Sequence, residues 1–322
     1  MYKKAKIYNF QNHLNISKND TSQHVFHYTS PESLFSIIDN SNLRFSDCQF
    51  LNDKSEFANM NTIIQNHKNT FIKQDTYAIL NSYEDNLDSN YFFSDITSIS
   101  PGFSGIRIYK ARAYMLSTSM HPDDLNLWNY YVKNDSYQGY NIELEPNSLI
   151  ECISTQLSHP IEIFHGNVIY DDTEKINIIT SILKDVEIRC DAERKNTRVD
   201  SSDDQIVNIQ EIKGDGIQKI ELCRLFFKDS SFSNEKEFRI IIKVPYDQGS
   251  VFKNTLLPSF CVKHGVFSPY YDFDIDIEKS IHSITIGPML ETKASKNGLT
   301  MFLKSKSFDD INILSSNIPI RY

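Results

Sequence analysis

Two glutamates stand two residues apart late in the chain, in Glu235-Lys236-Glu237-Phe238-Arg239. Phe238, Ile240, Ile242 and Val244 alternate after them, which predicts a half-buried strand over residues 233–245. Glu235, Glu237, Arg239 and Ile241 would then share the opposite face. Two close carboxylates cannot both ionise freely, so one holds its proton more tightly and the pair can divide acid and base roles. The plain alternative is a solvated face with a Glu–Arg pair.

Three further groups could join them. His27-Tyr28-Thr29 lies in a short predicted strand, with His27 and Thr29 on one face and Tyr28 on the other. His27 could hydrogen-bond a sugar hydroxyl, or it could be a satisfied core histidine. His24 and His27 do not converge on such a strand, so a two-histidine metal site there is not expected. Ser117-Thr118-Ser119 offers small hydroxyls on a core strand, able to support a carboxylate or leave room for a flat ring. Ordinary strand formers would read the same way. Trp128-Asn129-Tyr130-Tyr131 could form a stacking wall, although Trp128 itself suits the core of a short helix. Asn52-Asp53-Lys54-Ser55-Glu56 explains itself as a capping box.

The elements that must position these residues follow from local signals. Residues 24–29 read as a strand. Ser30-Pro31-Glu32 opens a helix, as cap, first helical position and acid at the positive dipole end. Leu34, Ile37 and Ile38 give that helix a buried face, Asn40 to Asn42 ends it, and a strand follows over residues 43–46. Residues 52–57 open a second helix, with Phe57, Met60 and Ile64 following at helical spacing, and residues 83–105 read as a loop or lid. Strands are expected at 113–120, 139–144, 168–170, 284–286 and 311–314. Asp123 or Asp124 should cap a helix carrying Leu125, Trp128 and Val132. Residues 172–221 read as helical with a break at 199–204, and 296–303 as a further helix. Strands and helices mix without a βαβ rhythm, so the expected class is α+β, as one domain over residues 1–322 with a helical insertion at 172–221.

The composition sets outer limits. With 322 residues and 40% apolar content, the chain can bury a large core. Its 17 tyrosines and 21 phenylalanines serve that core, and tyrosine can also stack on a flat ligand. A net charge of −9 argues against a protein that mainly grips long nucleic acid. Five dispersed cysteines, without a CxxC pair, argue against a disulfide framework or a structural zinc site and fit a reducing cytoplasm. The charged start does not read as a secretory signal, and no apolar run has membrane-spanning length.

Taken together, His27-Tyr28-Thr29, Asn52-Asp53-x-x-Glu56, Trp128-x-x-Tyr131 before Gly139, and Glu235-x-Glu237-x-Arg239 resemble a widespread bacterial family of unknown function. Their order also resembles the three-part signature of the ADP-ribosyltransferase superfamily. His27 is similar to that superfamily's His-Tyr-Glu branch; Ser117-Thr118-Ser119 and Glu235-x-Glu237 are similar to its Arg-Ser-Glu branch. The stacking pair departs from the pattern, since Tyr130 or Tyr131 with Tyr140 fits its spacing only approximately.

The resemblance implies a split, mixed and antiparallel β-sheet core with peripheral helices, and NAD⁺ as substrate. It implies that His27, Tyr28, Thr29, Ser117, Ser119, Tyr130 and Tyr131 hold NAD⁺, and that Glu237 and Glu235 are catalytic. It implies no metal. The acceptor would be a macromolecule, RNA or protein, in a toxin or anti-phage effector with a possible antitoxin partner. A nucleotide-sensing module without catalysis, or an NAD⁺ glycohydrolase, are the alternatives.

Overall fold

The structure, a computed structural model, describes residues 4–16, 23–50, 56–67, 75–76, 79–81, 92–96, 107–132, 138–158, 161–196, 202–245, 256–263, 265–290 and 293–319. In chain order these form β1 (Lys6–Asn9), α1 (Phe10–His13), β2 (Val25–Thr29), α2 (Pro31–Asn40), β3 (Asn42–Asp47) and α3 (Glu56–His67). Then come β4 (Phe92–Ile96), β5 (Arg107–Ser119), α4 (Leu125–Tyr131), β6 (Tyr140–Leu144), α5 (Pro146–Gln156) and β7 (Glu162–Asn167). The long helices α6 (Asp172–Arg194) and α7 (Ser202–Phe226) lead through a 3-10 turn (Ser230–Glu235) into β8 (Glu237–Pro245). The chain closes with β9 (Ser259–Lys263), β10 (Val266–Asp274), α8 (Ile277–Ser280), β11 (Ile281–Ile286), α9 (Lys293–Ser305) and β12 (Asn312–Ser315).

The protein is a mixed α+β fold around one curled sheet, with the path β1-β7-β8-β5-β2-β6-β11-β12. The β1–β7 and β11–β12 pairs are parallel and the other pairings antiparallel. Strand β5 organises the centre. One edge pairs with β8 from Ala111 to Ser119. Its other edge takes three strands in succession: β4 at Arg107–Ala111, β3 at Tyr114 and Met115, and β2 at Ser119 alone. Between Met115 and Ser119 no described strand fills that edge, so the sheet parts there.

Two cores lie on the sheet's two faces. Phe238, Ile240, Ile242 and Val244 of β8 join one core, with Leu34, Ile37 and Ile38 of α2. Ser30 caps α2 as its sequence predicts, accepting from Ser33 N, and Ser41 ends it in the left-handed region at φ 50°. Each such side chain, fully buried, contributes ~1.5–3 kcal/mol. Ile241, Met115 and Phe164 face the second core, which the antiparallel helices α6 and α7 cover.

Several expectations change. Strand β8 is buried on both faces rather than half-buried, because α6 and α7 roof the face that alternation alone assigns to solvent. Residues 92–96 form a strand and not a loop, since the long β5 offers them an open edge. The expected strand at 168–170 is instead a single bridge from Ile169 to Phe227, and the true strand, β7, ends at Asn167. Asn52 and Asp53, the expected start of the capping box, lie outside the described residues, and Glu56 opens α3.

Candidate functional site

A cavity of about 610 Å³ occupies the gap in the sheet. That volume lies within the range of small-ligand and cofactor sites. Strand β2 supplies His27, β5 supplies Ser117 and Ser119, α4 supplies Tyr130 and Tyr131, the turn into β8 supplies Glu235, and β8 itself supplies Glu237. Segments far apart in sequence meet there because β2 and β8 both border β5.

His27 shows how the gap works. Beyond Phe26 and Ser119 the β2–β5 ladder has ended. The His27 ring takes over, donating from Nδ1 to the Ser117 carbonyl at 3.3 Å. A carbonyl can only accept, so Nδ1 carries the hydrogen and Nε2 keeps its lone pair. Burial lowers the imidazole pKa, and the Ser117 bond offsets only part of that, so the ring is neutral at pH 7.

The two glutamates converge by a route different from the one their spacing predicts. Glu235 is not on the strand; it ends the 3-10 turn. Lys236 then adopts a left-handed conformation at φ 42°, which costs a non-glycine residue ~1–2 kcal/mol. Ser119 pins this turn by donating to the Glu235 carbonyl at 2.6 Å and accepting from His121 N at 3.0 Å. Both carboxylates thereby reach Lys228, whose Nζ lies 2.6 Å from Glu235 and 3.3 Å from Glu237.

Glu237 and Arg239 sit on neighbouring same-face positions of β8 and are both buried. Arg239 donates to the two Glu237 oxygens at 2.9 and 2.8 Å and to the Leu225 carbonyl at 2.6 Å. Burial by itself would raise the Glu237 pKa. The charges of Arg239 and Lys228, with hydrogen bonds from Arg239 and Ser117, overcome it and hold the carboxyl well below its usual range. Glu237 is an anion at neutral pH. The Glu–Arg pair that spacing suggests does exist, but in the interior rather than on a solvated face.

The tyrosines divide. Tyr131 is 41% exposed as a residue, yet its hydroxyl enters the cavity. Burial, the nearby Glu237 and Glu235 charges and a hydrogen bond to Glu235 all push its pKa up. Tyr130 is more exposed and lies at the rim. Tyr28 commits its hydroxyl elsewhere, donating to the His121 carbonyl and accepting from Asp124 N, both at 3.0 Å. Its ring meets Trp128 edge-on at 4.8 Å, and Trp128 donates to Asp123 at 2.7 Å. Tyr28 and Trp128 therefore hold α4 in place. Thr29 is buried at the end of β2 and does not line the cavity.

Three cations also line the cavity without any spacing signal in the sequence: Lys228, Arg44 and Lys263. Arg44 lies 3.6 Å over the Tyr270 ring and pairs with Asp272. Lys228 lies in the short loop between α7 and the 3-10 turn, and that turn brings the glutamates back to it. Glu237 also lines a neighbouring cavity of about 540 Å³ with Tyr170, whose hydroxyl accepts from Glu237 N at 3.0 Å.

Fold and site together define a mixed α+β protein with a buried carboxylate pair at a gap in its sheet. Residues 127–240 match the model of a family described as a protein of unknown function (DUF2971). That span covers less than half of the chain; it contains Glu235 and Glu237 and leaves out His27 and Ser117. No curated protein and no solved structure shows a significant match. Among the described residues, no helix is long and apolar enough to cross a membrane.

Proposed function

We propose that this protein is an ADP-ribosyltransferase that moves ADP-ribose from NAD⁺ to a macromolecular acceptor, RNA or protein. The observation that carries the proposal is the gathering of His27, Ser117, Tyr131, Glu235 and Glu237 around one nucleotide-sized cavity. In this reading His27 Nε2 accepts from a ribose hydroxyl, Tyr130 or Tyr131 stacks on nicotinamide, and Arg44 and Lys263 face the pyrophosphate.

The bond from ribose C1′ to the nicotinamide nitrogen breaks, and nicotinamide leaves with the electron pair as a neutral molecule. Positive charge grows at C1′. The Glu237 carboxylate, kept ionised by Arg239 and Lys228, stabilises that charge. The acceptor's oxygen or nitrogen forms the new bond to C1′, and its proton passes to Glu235. Without an acceptor other than water, the same steps make an NAD⁺ glycohydrolase.

One observation favours a second reading. Both carboxylates already have cationic partners, which suits a rigid nucleotide-sensing module that transfers nothing. Expression in bacteria separates the two. The transferase reading expects the intact chain to slow growth and Glu237→Gln to relieve it. Trp128→Phe is the control, because it loosens α4 without touching Glu235 or Glu237. Equal growth inhibition by wild type and Glu237→Gln would remove Glu237 from the catalytic role.

A further inference from the structure

Strands β6 and β11 and the residue before β2 place His24, Glu143 and His282 side by side, and none of the three lines the cavity just described. Their ligating atoms all lie within 4.8 Å of one another. Glu143 is on β6, whose neighbours are β2 and β11. His24 immediately precedes β2. His282 belongs to β11, where the register slips: Ile281 pairs with Leu144 and Ser283 with Glu143, leaving His282 as an inserted residue. Such a bulge re-aims a side chain. Here it brings the His282 ring to 4.9 Å from that of His24.

We propose that His24, Glu143 and His282 form a binding site for a divalent transition-metal ion of the zinc class. Two imidazoles and a carboxylate are a donor set that such ions take, at ligand distances of ~2.0–2.2 Å. Tetrahedral ligands at those distances stand ~3.4 Å apart. The three groups need only small rotamer shifts to reach that spacing. His24 Nδ1 and Glu143 Oε1 are already 2.7 Å apart.

Glu143 is also oriented from behind. The Ser283 hydroxyl donates to Oε2 at 2.5 Å, which leaves Oε1 turned toward the histidines. Outer hydrogen bonds of this kind fix ligands in metal sites. A simple His24–Glu143 ion pair would need neither the bulge nor His282. His282 is exposed, so an ion can enter from solvent and keep an open coordination position.

The test is a titration of the purified full chain at pH 7 with Co²⁺, followed by Zn²⁺. One equivalent of Co²⁺ should bind with visible d–d bands, and one equivalent of Zn²⁺ should displace it. Saturating Zn²⁺ should raise the melting temperature by several degrees. His24→Ala and His282→Ala should each weaken binding at least tenfold, and His282, being exposed, can be replaced without disturbing the core. No stoichiometric Co²⁺ binding would overturn the proposal, as would equal affinity in the folded His282→Ala protein.

Discussion

Glu237→Gln should destabilise this protein at neutral pH, although the amide is nearly isosteric. Glu237 is buried and receives two hydrogen bonds from Arg239, with Lys228 3.3 Å away. Removing one partner from a buried ion pair costs ~3–5 kcal/mol, because the other charge is left uncompensated. Glutamine keeps an acceptor oxygen and Glu235 still faces Lys228, so the lower end applies, ~3 kcal/mol. For a domain of 322 residues that lowers the melting temperature by ~4–5 °C. The sign with pH follows from the depressed pKa. Glu237 contributes its stability above the unfolded value, 4.5, and loses it as pH falls toward the folded value. Thermal melts of both proteins from pH 7 to pH 3 should show a gap constant down to about pH 5 and narrowing below it. Equal melting temperatures at pH 7, or a gap that ignores pH throughout, would refute the buried, paired carboxylate.

Other outcomes follow from the same geometry. His27→Ala loses one hydrogen bond to the Ser117 carbonyl, worth ~1–3 kcal/mol with its desolvation, but should weaken NAD⁺ binding at least tenfold by calorimetry. Because burial lowers the His27 pKa, NAD⁺ affinity should be flat from pH 6.5 to 8; a steep change there would contradict a neutral ring. Tyr131→Phe keeps the ring and loses the hydroxyl that meets Glu235, so NAD⁺ affinity should hold while turnover falls ~10-fold. Trp128→Phe loses the bond to Asp123 and should cost ~2 kcal/mol in a denaturant melt; because α4 also carries Tyr130 and Tyr131, NAD⁺ affinity should fall, but less than with His27→Ala.

Local signals described the periphery of the site well. Ser30 and Asp124 cap their helices because short side-chain acceptors answer free backbone N–H groups, a requirement visible in a few residues. The alternation through β8 correctly put Glu237 and Arg239 opposite Phe238 and Ile240. Alternation cannot say what covers a face, however, and α6 and α7 turned an expected surface into interior. Nor does it report the left-handed turn at Lys236, which takes Glu235 off the strand yet returns its carboxylate to the same cavity. Lys228 was illegible because an irregular turn, not a helix or strand period, brings it to Glu235 and Glu237, and Arg44 because its partner Asp272 lies far along the chain. The β11 bulge left no mark in Ile281-His282-Ser283 that a regular strand would not also show.

Labelled NAD⁺ incubated with the purified chain, alone and with RNA, DNA or bacterial lysate, tests the central claim most directly. The account predicts release of nicotinamide and label fixed to a macromolecule in at least one mixture, both lost with Glu237→Gln held below its melting temperature. NAD⁺ left intact in every mixture, or free ADP-ribose as the only product, would contradict it.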